Sequence, residues 1–332
     1  MSLLSFIVYD CNLLGLRYLQ KNKAIKALYA NAHRGPCKRP GRVIAMANNL
    51  VHNGGLGDRI HGFISTYMLC EKYGYDFKIN NCDNFRLSSY LEPNEVDWDI
   101  APDEIVYDLN VAEPVRMACT FKKYNGTPEQ EARFMNRYLR WRMRVNPNKE
   151  IHVYTNEHWA CTPEVYSHYF HKLFKPSKAL QEAVNREKNR IGGSYISVTL
   201  RFQNLLGDFY EGKYPTLPHD EQEKLINKVI AKIRELYSQQ QEGTKILVTS
   251  DSRLFLDKVQ QESYVYTIPG KIVHMSYSND KDFSVHLKSF VDLMMLADAK
   301  KLYLLVTDPM FHSGFAESAS FINNRPYEVV KW

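Results

Sequence analysis

The sequence predicts an α/β protein with two parallel-sheet halves, and three observations support this class. Short apolar runs alternate with amphipathic segments of helical periodicity along most of the 332 residues. A glycine-rich turn joins the first apolar run to the first such helix. The apolar content of 44% and the charged content of 24% are those of an ordinary globular protein, at a length that favours two domains. Alternating strands and helices of this kind form parallel sheets with helices on both faces.

The first half opens with a strand, a turn and a helix. Residues 42–47 are short, apolar and β-rich at their start, which predicts a buried strand. After the turn at 54–57, apolar residues keep helical spacing over 58–70, and Gly74 ends that helix before a strand at 75–79. This unit is the opening of a Rossmann-like domain.

Weaker patterns follow up to the expected domain boundary. Residues 81–102 are rich in Asn, Asp and Pro and are expected to be irregular. The elements expected after them are strands at 104–109 and 151–155 and helices at 128–145, 163–174 and 176–190. The stretch 191–193, Ile-Gly-Gly, closes this half, so the predicted domains are 1–190 and 191–332.

The second half alternates more regularly, which predicts a second Rossmann-like domain. The expected strands are 195–200, 245–249, 265–266, 302–306 and 327–330, and the expected helices are 219–237, 252–260, 283–299 and 310–319. Two such halves leave a cleft between them, and ligands of open α/β sheets bind at the carboxyl ends of the strands. The residues that follow each strand are therefore the first candidates for a site.

The glycine turn at 54–57 has two interpretations. The glycines bring backbone amides close to an anionic ligand at the start of a helix, where the helix dipole favours negative charge. Alternatively, they let a tight strand-to-helix turn close. The spacing is neither the dinucleotide-binding G-x-G-x-x-G nor a Walker loop, since no Gly-Lys-Ser/Thr follows.

The net charge of +6 is concentrated at the N-terminus. Residues 1–40 contain seven Lys or Arg and one acidic residue, so 36 basic and 36 acidic residues share the rest of the chain. A nucleic-acid partner is therefore not expected. The basic segment is also apolar without approaching the length of a membrane span. It is either an amphipathic helix in peripheral contact with an anionic membrane surface or a helix packed on the first domain.

The cysteines indicate a reducing compartment. They form no C-x-x-C pair and have no zinc-ligand spacing; they stand at positions 11, 37, 70, 82, 119 and 161. Scattered cysteines of this kind are typical of reduced thiols. We therefore expect a cytoplasmic protein, and the basic segment leaves open a peripheral position at the inner face of a membrane.

Polar residues gather at the predicted strand ends of the second half. Arg201 follows the strand 195–200, and Ser250-Asp251-Ser252 follows the next strand. Thr307-Asp308 follows the strand 302–306, with His312 to Phe315 close behind. A guanidinium pairs with phosphate in a fork geometry, helix amides bind phosphate oxygens, and a carboxylate accepts hydrogen bonds from guanine or ribose. Taken singly, each residue is as well explained by a surface ion pair, a helix cap or a turn, but their joint placement favours a nucleotide diphosphate site.

These segments resemble the GT-B fucosyltransferases that use GDP-fucose, which include the rhizobial nodulation, α1,6-, α1,2- and protein O-fucosyltransferases. The resemblance covers residues 43–80 and 195–330. Its motifs are similar to the family's glycine-rich turn, its His-x-Arg strand end, a third strand end and its Ser-Ser/Gly-Phe segment. In this sequence they are 54–61, 197–201, 248–252, and 296–298 with 313–316.

Three positions depart from the family pattern. Thr199 stands where the family has histidine, Phe202 where a second arginine is often found, and Asp58 where asparagine is common. The change at Thr199 removes a ring contact to the GDP-sugar. The change at Asp58 removes an amide hydrogen-bond donor near the sugar or the β-phosphate. These departures are compatible with a different donor sugar or with an inactive relative.

The resemblance implies a GT-B fold, with two Rossmann-like domains facing a cleft, and inverting sugar transfer that uses no metal or other cofactor. Residues 1–190 would then hold the acceptor, a glycan, lipid-linked sugar or protein, and residues 191–332 would bind the GDP-sugar. The implied donor-binding residues are Gly55, Gly57, Asp58, Arg59, Thr199, Arg201, Asp251, Ser252, Asp292, Ser313, Gly314 and Phe315.

Arg201 is the candidate for stabilising the charge that grows on the leaving phosphate. Asp208 and Glu211 lie in the following loop, where either is a candidate general base or simply a solvated acid. Lys271 and His274 are further candidate cations.

Two other functions compete with glycosyl transfer. The departures at Thr199, Phe202 and Asp58 make a non-catalytic sugar-nucleotide or glycan-binding relative plausible. An unrelated nucleotide hydrolase or phosphotransferase would need a Walker loop or a carboxylate metal cluster, and the sequence shows neither.

Overall fold

The structure is a computed structural model that describes residues 6–7, 16–31, 39–48, 54–81, 85–117, 127–159, 161–212, 214–273, 275 and 282–332. The chain divides into two compact units, Met1–Lys175 and Pro176–Trp332. Each unit is a mixed α/β structure around a parallel sheet, as the sequence predicts. The predicted cleft between the two halves stays a prediction.

The first unit is built on a four-stranded parallel sheet. Its strands and helices, in chain order, are α1 (Leu16–Asn31), β1 (Val43–Met46), α2 (Leu56–Tyr73), β2 (Phe77–Asn80), β3 (Leu91–Pro93), β4 (Ala112–Arg116), α3 (Pro128–Val145), β5 (Glu150–Tyr154), α4 (Pro163–Leu173) and β6 (Phe174–Pro176). The sheet order is β2-β1-β5-β4, while β3 and β6 form a separate two-stranded sheet. In the four-stranded sheet, Val43 lies opposite Phe77 on one side and Ile151 on the other.

Helix α2 packs closely on this sheet because of one glycine. It begins after the glycine turn and ends at Gly74, whose φ of 69° is the left-handed conformation that glycine favours at a helix end. A Cβ added at Gly62 would lie 2.3 Å from the carbonyl oxygen of Thr155, the residue after β5. The absence of a side chain at Gly62 therefore lets α2 approach the end of β5.

Helix α1 packs into the core of the first unit through its second half. Ile25 and Tyr29 are buried beside Ile44. The Tyr29 hydroxyl lies 2.6 Å from His152 Nδ1 and 3.1 Å from the Tyr154 hydroxyl. These contacts favour the core-packed interpretation for this part of the basic segment. Within the described ranges, no helix is both long enough and apolar enough to cross a membrane.

One strand of the first unit is not where the sequence pattern puts it. The expected strand at 104–109 is wrong: residues 102–104 form a short 3-10 helix, and strand β4 lies further on. That strand contains Pro114, which argues against a central strand. Since β4 is an edge strand paired with β5, a missing backbone N–H is tolerated there.

The second unit is built on a five-stranded parallel sheet. Its elements are α5 (Lys178–Ile191), β7 (Tyr195–Leu200), α6 (His219–Ser238), β8 (Lys245–Ser250), α7 (Arg253–Val259), β9 (Val265–Tyr266), α8 (Phe283–Asp298), β10 (Leu302–Val306), α9 (Phe315–Ile322) and β11 (Tyr327–Lys331). The sheet order is β11-β10-β7-β8-β9, so β7 is the central strand. Val198 of β7 packs with Val229 of α6 and Phe255 of α7 in the hydrophobic core.

The division between the units lies after Lys175 rather than at residue 190. Helix α5 packs with the second unit because it contacts α8. Its Lys188 Nζ lies 2.5 Å from Asp298 Oδ2, and the Tyr266 hydroxyl donates to Glu187. The Gly192-Gly193 pair is therefore a turn inside the second unit.

The expected helix at 310–319 begins later, at Phe315. The backbone N–H of Phe311 donates to the carbonyl oxygen of Arg201 at 3.1 Å. Because that amide is bonded to the end of β7, residues before Phe315 follow the sheet edge instead of forming helical turns.

Candidate functional site

Arg201 follows the central strand of the second sheet and has two carboxylates as partners. Its Nε lies 3.3 Å from Asp251 Oδ2, and its Nη2 lies 2.5 Å from Glu211 Oε2. The guanidinium carbon lies 5.2 Å from the centre of the Phe209 ring. With 21% of its side chain exposed, Arg201 is partly accessible at the carboxyl edge of the sheet.

Asp251 is a fixed partner of this arginine. It is buried, and its Oδ1 and Oδ2 accept the backbone N–H groups of Phe202 at 2.8 Å and Gln203 at 2.7 Å. Burial raises the pKa of the Asp251 carboxyl, while Arg201 and the two amides oppose that rise by favouring the carboxylate. The two carboxylate oxygens of Asp251 therefore bind the backbone of residues 202–203, and Oδ2 also pairs with Arg201.

Gln203 is a residue of this edge that the sequence pattern does not indicate. Its φ of 54° is unusual for a residue other than glycine, and its side chain is buried. Among the residues that the structure describes, its Nε2 has no hydrogen-bond partner. A glutamine carries no sequence signal for positive φ, so this position was not recognisable from the pattern.

The side chains of Asp208 and Ser252 lie at the start of helix α7, which begins at Arg253. Asp208 Oδ2 accepts the Ser252 hydroxyl at 3.0 Å and the Leu254 backbone N–H at 2.7 Å. The Ser252 oxygen in turn accepts the Phe255 backbone N–H at 3.1 Å. Both predicted site residues therefore act as caps for the first turn of the helix.

Glu211 lies in a loop that is tied to the end of β7. Its backbone N–H donates to Asn204 Oδ1 at 2.7 Å, and Asn204 Nδ2 donates to the carbonyl oxygen of Tyr214 at 3.3 Å. Tyr210 and Tyr214 of this loop are exposed. The loop therefore carries a carboxylate against Arg201 and exposed aromatic side chains beside it.

The two departures near Arg201 are buried in the fold. The Thr199 hydroxyl lies 2.9 Å from the Thr249 hydroxyl of the neighbouring strand. Phe202 is fully buried, with its ring centre 5.0 Å from that of Phe255. Both side chains serve packing in this structure.

The segment 313–315 follows a residue that is hydrogen-bonded to the backbone of Arg201. The Phe311 amide bonds the carbonyl oxygen of Arg201, and Ser313 follows two residues later. The Ser313 oxygen accepts the backbone N–H of Phe315 at 3.3 Å, which places Ser313 and Gly314 at the start of helix α9. The joint placement of Ser313 with Arg201 and Asp251 in one site stays a prediction.

Asp292 lies in helix α8, where it pairs with Lys288 at 2.5 Å. Burial raises the pKa of Asp292, and Lys288 opposes that rise. The side chain of Lys288 packs beneath Gly270. Lys271 is adjacent in sequence to that glycine, and His274 lies outside the described residues.

The predicted site residues of the first unit have partners within that unit. Asp58 Oδ2 accepts the backbone N–H of Gly55 at 3.0 Å, which caps helix α2, and Gly57 is buried in its first turn. The buried Arg59 donates through Nη1 to Asn81 Oδ1 at 3.0 Å. These contacts favour the interpretation of the glycine turn as a strand-to-helix closure.

Two histidines also lie near the carboxyl edge of the first sheet. The ring centres of His61 and His158 are 4.9 Å apart, and that of Tyr166 is 5.3 Å from His61. Burial, with a smaller contribution from His158, lowers the pKa of His61 to about 3. In the part of the chain that the structure describes, no group of three or more His, Cys, Asp or Glu residues could hold a metal ion.

No family model and no curated protein matches the chain. Among solved structures, NodZ alpha-1,6-fucosyltransferase soaked with GDP-fucose matches with a TM-score of 0.54 at 15% identity, over 86% of this chain and 93% of that chain. Fucosyltransferase NodZ from Bradyrhizobium, as its Se-Met form, matches with a TM-score of 0.52 at 15% identity, over 85% and 92% of the two chains. A mutant of Arabidopsis thaliana FUT1 in complex with GDP matches with a TM-score of 0.53 at 11% identity, over 98% and 78%. These likenesses confirm the GT-B fucosyltransferase-like fold that the sequence motifs implied.

Proposed function

We propose that this protein is a glycosyltransferase that transfers fucose, or a related sugar, from a GDP-sugar to the hydroxyl of a glycan or another acceptor. The observation that carries the proposal is Arg201, a partly exposed guanidinium at the carboxyl end of the central strand. The fold of the chain is shared with fucosyltransferase structures, one soaked with GDP-fucose and one in complex with GDP. Ligands of such sheets bind at this edge.

The role of Arg201 in this reaction is to stabilise the leaving group. As the bond between the sugar C1 and the β-phosphate oxygen breaks, negative charge grows on the phosphate. A guanidinium held in place by the buried Asp251 needs little reorganisation to meet that charge. Positive charge from arginine lets the proposed reaction proceed without a metal or other cofactor.

The base in the proposed reaction takes the proton of the acceptor hydroxyl. The acceptor oxygen forms a bond to C1 on the face opposite the phosphate, GDP departs with the bonding electrons, and the configuration at C1 is inverted. Of the two candidate acids, Glu211 contacts Arg201, while Asp208 is bonded to the start of helix α7. Because Asp208 is engaged as a helix cap, we assign the base to Glu211, whose side chain must turn from Arg201 toward the acceptor.

A non-catalytic binding relative is the second candidate. It is favoured by Phe202, which is buried where the resembling enzymes often have a second arginine. A single guanidinium would suffice to bind a diphosphate while giving less charge to the transition state. Such a protein would bind GDP-fucose and leave it intact.

Binding followed by a donor assay tests the proposal. Isothermal titration calorimetry with GDP, UDP, ADP and CMP should show the tightest binding for GDP. Incubation with GDP-fucose should then release GDP and free fucose slowly, because active sites of this kind transfer some sugar to water. A preference for UDP would contradict the proposed donor, and GDP binding without any release over long incubation would favour the binding relative.

A further inference from the structure

Glu211 makes with Arg201 the kind of contact that a phosphate oxygen makes with a guanidinium. Its Oε2 lies 2.5 Å from Nη2, which is the contact that guanidinium groups make with both carboxylates and phosphates. The other described partner of the guanidinium is Asp251 on Nε. A diphosphate that pairs with Nη2 of Arg201 therefore competes with the Glu211 carboxylate for that nitrogen.

The two carboxylates differ in how firmly the fold holds them. The Asp251 side chain is 3% exposed, and both of its oxygens accept backbone N–H groups. The Glu211 side chain is 16% exposed and lies in a loop between Gly207 and Gly212, whose φ values of 77° and 59° suit glycine. Asp251 is thus a permanent partner of Arg201, whereas the Glu211 side chain can leave Arg201 by rotating while its backbone N–H stays bonded to Asn204 Oδ1.

Charge also favours such an exchange. Arg201 carries one positive charge against two carboxyl groups, so these three side chains do not present a net positive charge to a ligand while Glu211 is in place. A diphosphate is strongly negative, so it is repelled as long as Glu211 remains against Arg201. Departure of Glu211 leaves Arg201 balanced by Asp251 and open to the phosphate.

We propose that Glu211 is an exchangeable partner of Arg201 which the diphosphate of the donor displaces, and that the released carboxylate is then the base of the transfer. The inference rests on the proposed function and deepens it, since donor binding and availability of the base become a single event. Part of the free energy of diphosphate binding is spent in separating Arg201 from Glu211. The free protein therefore binds GDP more weakly than its arginine alone would allow.

The substitution Glu211→Gln separates the two roles of this residue, because it keeps the shape and removes the charge. GDP should bind about tenfold more tightly to the variant, which corresponds to about 1.4 kcal/mol. Release of GDP from GDP-fucose should instead fall by about a hundredfold or more, since a general base is lost. An affinity and a turnover that move in opposite directions are not expected from a merely structural residue.

The control for bulk charge is Glu242→Gln, an exposed acid in the turn before strand β8. It should leave the affinity for GDP within about twofold of the parent protein. Thermal unfolding of both variants checks that the fold is kept. Weaker or unchanged GDP binding by Glu211→Gln would overturn the exchange and would mean that Glu211 positions Arg201 instead.

Inorganic pyrophosphate, titrated in the same way, distinguishes failure of the inference from failure of the proposed function. The exchange predicts tighter pyrophosphate binding by Glu211→Gln as well. If pyrophosphate binds more tightly to the variant while neither protein binds GDP, the exchange stands and the proposed donor is wrong. If pyrophosphate affinity does not increase, the exchange is wrong whatever the nucleotide.

Discussion

The carboxyl edges of the two sheets carry similar polar residues that are used in different ways. In the first unit, Arg59 is 1% exposed and donates to the amide oxygen of Asn81. In the second unit, Arg201 is 21% exposed and is paired with Asp251 and with the loop residue Glu211. We expect the buried Arg59 to support the local fold and the partly exposed Arg201 to meet an anionic ligand, because a guanidinium pairs with phosphate as it does with a carboxylate.

We therefore expect the first edge to serve stability and the second edge to serve ligand binding. Substitutions at the first edge should lower the free energy of unfolding and leave nucleotide affinity unchanged. Substitutions of Arg201 and Glu211 at the second edge should change nucleotide binding or turnover and leave the free energy of unfolding close to that of the parent protein.

Replacing Arg201 with alanine should reduce turnover of GDP-fucose by about a hundred- to a thousandfold, because one transition-state donor is lost. Lysine at the same position should restore only part of the rate, since it keeps the charge without the two-pronged contact to phosphate. The loss should appear in kcat more than in KM, as expected for an interaction that strengthens in the transition state.

The matched control is Arg234→Ala, which removes an exposed arginine paired with Glu262 at 2.6 Å in the same unit. Its turnover should equal that of the parent protein. Turnover of Arg201→Ala within a few-fold of the parent would remove Arg201 from the mechanism. The catalytic charge would then have to come from another cation, such as Lys271.

The strand pattern of the second unit could be predicted almost residue by residue, because its three central strands are short, mostly buried apolar runs separated by clear helical segments. The strands at 195–200, 265–266 and 302–306 have the predicted bounds. The strand at Ala112–Arg116 could not be predicted, since an edge strand tolerates a proline that a sequence pattern counts against it.

The site could be predicted as a location but not as a set of contacts. Strand ends place Arg201 and Asp251 at one edge, and the structure brings them together. The sequence does not indicate the hydrogen-bond partners of each side chain. Its pattern predicts that Asp251 binds the nucleotide, and in the structure the carboxylate accepts the backbone N–H groups of residues 202–203. That geometry depends on the positive φ of Gln203, a conformation for which glutamine gives no signal.

A pair of glycines tests the stability side of the comparison. Gly62→Ala should lower the free energy of unfolding by about 1–3 kcal/mol, because its Cβ would lie 2.3 Å from the backbone oxygen of Thr155. Gly55→Ala is the control: a Cβ there meets nothing within 4 Å, and its φ of −73° suits alanine. Denaturant unfolding should show a large loss for the first and little for the second. Equal losses would mean that the close contact of α2 with β5 does not govern stability.

The smallest expected effect is that of Asp58→Ala, and it decides whether the first edge takes part in donor binding. Asp58 Oδ2 accepts the Gly55 N–H, so its removal should lower the free energy of unfolding by about 1 kcal/mol. Asp58→Asn retains an acceptor oxygen and should stay close to the parent protein. Calorimetry should give the same affinity for GDP in all three proteins if this residue only caps helix α2. A fall in GDP affinity for Asp58→Ala at unchanged stability would instead support the donor-binding role that the sequence motif implied, and the contrast between the two edges would then be one of degree.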